Sequence, residues 1–201
     1  DRVEESENAS AYRVARGPGE AGCRVLVDGQ KGRQVPRASR DRALVRIVDD
    51  LALRRGEAVA GDGKDVDPTA GTVAILGKRR TEREALTLPE ATKAAVESWL
   101  AVRGSEDGPL FVNFDRAGKG SRLAGRSVAR ILDALGEEVG LKVRPHGLRH
   151  AAITEALDKT NGNVRAVQRF SRHRDSRVLG RYDDNRQDLG GEVARLVASG
   201  V

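Results

Sequence analysis

All three histidines and one of the two tyrosines of this 201-residue chain lie in two short stretches near its carboxyl end. The first stretch, RPHGLRHAAIT at residues 144–154, carries His146 and Arg149 three positions apart. On a helix this spacing puts both side chains on one face of the first turn, where unpaired N–H groups and the helix dipole favour an anion. The pair could therefore address one phosphate, although an exposed, capped helix start has the same pattern.

The second stretch, FSRHRDSRVLGRYDDN at residues 170–185, carries His173 and Tyr182 nine positions apart. Nine steps along one straight helix would set the two side chains on opposite faces, so they can converge only across a break. Asp175-Ser176 predicts that break, with Ser176 as the N-cap of a new short helix that carries Tyr182 in its last turn. A tyrosine among arginines is also typical of ordinary packing.

The positive charge of the chain is concentrated in the same region. Residues 140–186 hold eleven Lys and Arg against five Asp and Glu, and the rest of the chain holds 25 of each, so this region accounts for the net charge of +6. A localised surplus of this kind indicates a polyanion as the partner, with a solvated basic face as the alternative.

The periodicity of the apolar residues predicts a mainly helical protein with a small β-hairpin. SRDRALVRIVDDLALRR predicts a core helix capped by Ser39, and GTVAILGKRRTEREALTLP predicts a hairpin that turns between Gly77 and Thr81, with GDGKDVD as the turn that leads into it. Further helices are expected at PEATKAAVESWLAVR, at residues 121–140 and 145–160, then at NVRAVQRFSRH, SRVLGRY and LGGEVARLVAS. Residues 1–36 predict an irregular lead-in with a possible strand at CRVLVDG.

Composition excludes several classes of protein. No apolar run approaches the roughly 20 residues of a membrane span, and the acidic amino end is unlike a secretory signal. The lone Cys23 has no disulfide partner, and no second cysteine lies at a zinc-finger spacing. The cysteine usage therefore favours a reducing compartment.

The ordered set Arg, Lys, His-x-x-Arg, His, Tyr resembles the catalytic set of the tyrosine recombinases, the phage-integrase family. In this resemblance LRRGE supplies Arg54 and the supporting acid Glu57, the hairpin supplies Lys78, and HGLRH supplies His146 and Arg149. His173 precedes Tyr182 by the interval of the family, and Arg172 stands where the family usually has glycine. The resemblance spans residues 39–200.

The resemblance implies a catalytic core of the DNA breaking-rejoining type, an α+β fold at residues 37–201, without the amino-terminal core-binding domain of the family. Tyr182 would attack a phosphodiester, His146 would act as base, Lys78 would protonate the leaving oxygen, and Arg54, Arg149 and His173 would stabilise the transition state. Arginines near these positions are assigned to DNA binding: Arg79, Arg80, Arg144, Arg172 and Arg174.

The same resemblance implies double-stranded DNA as partner, no metal and no cofactor, a homotetramer on DNA, and a cytoplasmic, nucleoid-associated location in a prokaryote. The last helix is a candidate for docking on a neighbouring protomer, with coverage of its own core as the alternative. Two alternatives stay open. A type IB topoisomerase uses the same strand chemistry, although its members usually have lysine at the place of His146. A non-catalytic DNA-binding regulator of integration is the other.

Overall fold

The computed structural model describes residues 35–77, 80–181 and 189–199. These residues form helices and one small antiparallel sheet, which confirms the predicted α+β class. The chain divides into two compact units between Ala152 and Ile153, inside one helix. None of the helices in the described ranges is both long enough and apolar enough to cross a membrane.

The first unit is built from helices around a small sheet. Its elements, in chain order, are α1 (Val35–Asp50), α2 (Arg55–Ala60), a 3-10 turn (Gly63–Asp65), β1 (Val66–Asp67), β2 (Thr72–Leu76), β3 (Arg83–Thr87), α3 (Glu90–Arg103), α4 (Gly125–Glu138) and the start of α5 (Pro145–Lys159). The second unit continues α5 and adds α6 (Val164–Ser171), a 3-10 helix (Ser176–Arg181) and α7 (Leu189–Ala198).

Helices α1 and α3 pack together and form the centre of the first unit's core. The apolar stripe of α1 is buried as its spacing predicts, with Leu44 and Ile47 inaccessible to solvent. Trp99 of α3 is also buried, and its indole N–H donates to the carbonyl oxygen of Leu110 at 2.8 Å. The core therefore buries the apolar face of α1, the helix that leads into the candidate site.

The predicted starts of two helices were wrong. Helix α1 already begins at Val35, so Ser39 lies inside it and is not its N-cap. Pro36 fits the first helical turn because its missing N–H has no partner to lose there. Helix α4 begins at Gly125 rather than at 121, because Arg122 pairs with Val112 in an isolated β-bridge and is held extended.

The predicted hairpin is confirmed, and it belongs to a sheet of three strands in the order β1-β2-β3. Strand β2 pairs antiparallel with β3, with Ala74 opposite Ala85. The segment GDGKDVD, predicted to be only a turn, supplies the 3-10 turn and β1, whose Val66 lies opposite Val73. A two-residue strand is too short to show an alternating pattern in the sequence.

The second unit contains the predicted break between two helical segments. Helix α6 ends at Ser171, and a 3-10 helix begins at Ser176. The prediction that Ser176 caps this helix was wrong, since the Asp175 carboxylate accepts the backbone N–H of Arg177 at 2.9 Å. Hydrogen bonds from the side chain and the backbone of Arg177 lower the pKa of the Asp175 carboxyl. The possible strand at CRVLVDG lies outside the described residues.

Candidate active site

Arg54 is held at the start of α2 by a buried carboxylate. Glu57, one turn further on, accepts the backbone N–H of Arg54 at 2.9 Å and its guanidinium at 2.8 Å. An acid at this position commonly reaches back to the N–H that precedes the helix. The Glu57 side chain is 4% exposed and that of Arg54 is 33% exposed. The acid therefore orients the arginine, and part of the guanidinium still meets solvent.

The turn between α1 and α2 also binds the side chain of Arg149. Ala52 N–H bonds to Asp49 O and Leu53 N–H bonds to Val48 O, which is the Schellman pattern of a helix end. This pattern needs a left-handed residue, and Ala52 has φ of 45° there, where glycine is usual. The carbonyl oxygen of Ala52 accepts a hydrogen bond from Nη1 of Arg149. Arg149 is thus tied to the four-residue turn that also contains Arg54.

Helix α5 begins at the same place. The carbonyl oxygen of Arg144 accepts the N–H of Leu148 at 2.9 Å, so Arg144 is the N-cap, Pro145 the first residue and His146 the second. The first N–H groups of a helix have no partner within the helix and carry partial positive charge. His146 therefore lies in the first turn, and Arg149 follows as the fifth helical residue on the same face.

A cleft of about 540 Å³ opens at this position in the first unit. Four arginines and one histidine line it, against a single acid. Its lining residues are Arg54, Arg55, Ala129, Asp133, Val143, Arg144, Pro145, His146 and Arg149. Fixed cations at a helix amino end make the cleft suitable for a phosphate group.

Arg122, in the segment before α4, holds the loop that follows α2. One guanidinium nitrogen of Arg122 donates to the carbonyl oxygens of Val59 and Gly61, each at 2.9 Å, and the other donates to Asp62 at 2.5 Å. The hydrogen bond from Arg122 lowers the pKa of the Asp62 carboxyl. The glycine-containing loop 61–63 is therefore anchored at its start.

His173 lies in the second unit, in the segment between α6 and the 3-10 helix. Its Nδ1 is 2.9 Å from the hydroxyl of Ser171. Arg172, which caps α6 with φ of 56°, directs Nη1 to the carbonyl oxygen of Phe170 at 2.9 Å. Arg174 is exposed. The assignment of these two arginines to DNA stays a prediction.

The structure thus brings Arg54, Glu57, Arg144, His146 and Arg149 to one cleft and the turn behind it. Lys78, Arg79 and Tyr182 lie outside the described residues. Arg80 is exposed and forms an ion pair with Glu84 at 3.0 Å.

Sequence reasoning missed two residues of the cleft. The double arginine of LRRGE could have pointed to Arg55, because both side chains begin one short helix. Nothing in the sequence pointed to Asp133, which reaches the cleft because α4 packs beside α2.

The Glu57–Arg54 pair gives a first prediction, on stability. A Glu57→Gln variant loses two charge-assisted hydrogen bonds at a buried position, and we expect the free energy of unfolding to fall by about 1–2 kcal/mol in urea denaturation. This lies toward the low end of the range for such bonds, because water reaches one-third of the Arg54 side chain. Glu84→Gln, which breaks an exposed pair, should change it by less than about 0.5 kcal/mol. Equal losses would contradict the role of burial.

Comparisons with known sequences show the family of the chain. Residues 27–188 match the phage integrase family. A tyrosine recombinase of Synechocystis sp. is 35% identical over 178 residues, which are 87% of this chain and 55% of that protein. One from Synechococcus elongatus is 37% identical over 171 residues, 83% of this chain and 53% of that protein. The chain belongs to the phage integrase family and spans about half the length of these relatives.

Solved structures show the same fold. The XerH site-specific recombinase, in a post-cleavage complex with palindromic difH substrate, aligns with a TM-score of 0.70 at 21% identity, over 86% of this chain and 50% of that one. XerA recombinase aligns with a TM-score of 0.68 at 21% identity, over 87% of this chain and 62% of that one.

Proposed function

We propose that this chain is the catalytic part of a site-specific DNA recombinase that cleaves and rejoins strands through a 3′-phosphotyrosine intermediate. The observation that supports it most is the cleft of the first unit, where Arg54 and Arg149 are tied to one turn and His146 lies beside them. The relatives named tyrosine recombinases, and the XerH complexes with difH before and after cleavage, support DNA as the partner.

The cleft would stabilise the transition state of phosphoryl transfer. Attack on a phosphodiester spreads negative charge over the non-bridging oxygens, and fixed donors aimed there lower the barrier. Arg54 and Arg149 carry planar forks that can pair with two oxygens at once, which lysine cannot do. Glu57 and the carbonyl oxygen of Ala52 hold these forks before DNA binds.

The covalent step is assigned to the residues that match the catalytic set of the family. The phenol oxygen of Tyr182 attacks phosphorus, His146 takes the phenol proton, and the bond from phosphorus to the 5′ oxygen breaks. Lys78 gives a proton to the leaving 5′ oxygen, and His173 donates to a non-bridging oxygen. The reverse attack by a 5′ hydroxyl releases the tyrosine, so the scheme needs neither ATP nor a metal.

The wider assembly is part of the same proposal. We assign residues 37–201 to the catalytic domain, on double-stranded DNA, in a homotetramer in the cytoplasm. Helix α7 would dock on a neighbouring protomer, and its exposed Leu196 and Val197, 62% and 77% accessible, would be covered there.

The proposal is tested with a DNA duplex nicked close to the scissile phosphate. The short product diffuses away after cleavage, so the covalent adduct accumulates and runs as a retarded band in a denaturing gel. We expect such a band without added metal or ATP and in the presence of a chelator. A set of candidate sites that bind protein and yield no adduct would contradict the proposal.

Asp133 gives a further prediction, on DNA affinity. It is exposed, lines the cleft, and makes no hydrogen bond or ion pair with the part of the chain that the structure describes. A carboxylate so placed repels a phosphate. We expect Asp133→Asn to lower the dissociation constant for a labelled duplex about fivefold at low salt, measured by fluorescence anisotropy, with the gain shrinking as salt screens the charge.

Glu137→Gln is the matched control, since it removes the same charge one turn further along α4 at an exposed residue outside the cleft. It should change affinity much less than Asp133→Asn. Equal gains from the two variants would mean that only net charge matters, and no gain from Asp133→Asn would remove the carboxylate from the DNA interface.

A further inference from the structure

The imidazole of His173 is held by a buried hydroxyl two residues before it. Ser171 Oγ lies 2.9 Å from His173 Nδ1, and Ser171 is inaccessible to solvent. The carbonyl oxygen of Gln168 also lies 3.4 Å from this hydroxyl. The ring nitrogen is nearer and is therefore the better acceptor for the single hydroxyl proton.

The backbone of the same segment is held by a second side chain of α6. The side-chain amide nitrogen of Gln168, Nε2, lies 3.2 Å from the carbonyl oxygen of His173 and 3.4 Å from that of Arg174. Arg172, in a left-handed conformation, turns the chain back toward the helix so that both contacts can form. The last turn of α6 thus fixes both the ring and the backbone of His173.

We propose that Ser171 is a positioning residue that sets the tautomer and orientation of His173, with Gln168 fixing the backbone beneath it. When the Ser171 hydroxyl donates to Nδ1, the neutral ring carries its proton on Nε2, and the tautomer follows from that bond. Nε2–H is then the donor for a non-bridging oxygen of the scissile phosphate. The role of Ser171 in the reaction rests on the proposed function, whereas the contact between Ser171 and His173 is seen in the structure.

The first test compares Ser171→Ala with Ser98→Ala on the nicked duplex. Ser98 is exposed on α3 and its hydroxyl bonds to Ala94 O, so the control loses a helical hydroxyl far along the chain from His173. We expect Ser171→Ala to slow adduct formation about fivefold to tenfold, the size that one hydrogen bond allows, with unchanged DNA affinity. Ser98→Ala should cleave as the unaltered chain does.

The second test determines the tautomer of the His173 ring by NMR. In ¹⁵N-labelled protein, at a pH where His173 is neutral, couplings between ring protons and ring nitrogens identify the nitrogen that carries the proton. The unaltered chain should show the Nε2–H form, and Ser171→Ala should show a mixture. Gln168→Met, which keeps the side-chain length and removes the donors, should slow cleavage without changing the tautomer, and it keeps the inference testable if Ser171→Ala is poorly folded.

The outcomes separate this inference from the proposed function. Slower cleavage with an unchanged tautomer in Ser171→Ala would mean that Ser171 has a merely structural role. A changed tautomer with full activity would mean that cleavage does not depend on the tautomer of His173. Either result overturns the inference. If the unaltered chain forms no adduct, both the proposed function and the role of Ser171 in the reaction are contradicted. The NMR spectra of the His173 ring still test the hydrogen bond between Ser171 and His173.

Discussion

A Tyr182→Phe variant is expected to bind the nicked duplex with unchanged affinity and to form no covalent adduct. Phenylalanine keeps the aromatic ring but lacks the oxygen that would attack phosphorus, so no bond to DNA can form. Adduct formation is measured in a denaturing gel and affinity by fluorescence anisotropy. In the unaltered chain, trypsin should release the peptide YDDNR with nucleotide attached, because it cuts after Arg181 and after Arg186.

The chain contains its own control for this experiment. Its other tyrosine is Tyr12, and Tyr12→Phe makes the same chemical change far from Tyr182 in sequence. That variant should form adduct at the rate of the unaltered chain. An adduct that persists in Tyr182→Phe, or one that disappears in Tyr12→Phe, would remove Tyr182 as the nucleophile.

The second large effect concerns Arg149→Lys, which we expect to slow cleavage by about 100-fold to 1000-fold. That range is typical for removal of one preorganised donor to a transition-state oxygen. Arg149 is 4% exposed, and one of its nitrogens bonds to Ala52. Lysine keeps the charge but has no planar fork, so it cannot hold this carbonyl and reach a phosphate oxygen with fixed geometry.

Single-turnover cleavage rates and thermal unfolding together test this expectation. Arg165→Lys, at an exposed position of α6, is the matched control and should leave both unchanged. Arg149→Lys should remain folded at the assay temperature, which unfolding curves establish. Cleavage within about threefold of the unaltered chain, from a folded variant, would contradict a bidentate role for Arg149.

Local patterns in the sequence were sufficient for most of the fold. The apolar stripe of α1, the two runs of the hairpin and the proline at the start of α5 each act over a few residues, and all three elements are confirmed. The spacing of His146 and Arg149 needed only the helical period. The resemblance to the phage integrase family is confirmed by the family match.

Local patterns failed where a backbone partner came from elsewhere. Strand β1 forms because its backbone pairs with that of β2. Arg122 stays extended because its backbone pairs with that of Val112. Ser39 and Ser176 are acceptable caps by residue type, yet the first lies inside a helix and Asp175 makes the hydrogen bond near the second. Capping residues mark suitable positions, and packing selects among them.

The sequence by itself determined the helices, the hairpin, the clustered positive charge and the order of the candidate residues, because these depend on neighbours along the chain. Only the tertiary structure decided that Arg149 bonds to Ala52, 97 residues away, and that Asp133 faces the same cleft as Arg54. It also revealed the bond between Ser171 and His173, which depends on the left-handed Arg172 between them. Such contacts depend on how distant segments pack and on single backbone angles, and periodicity carries no information on either.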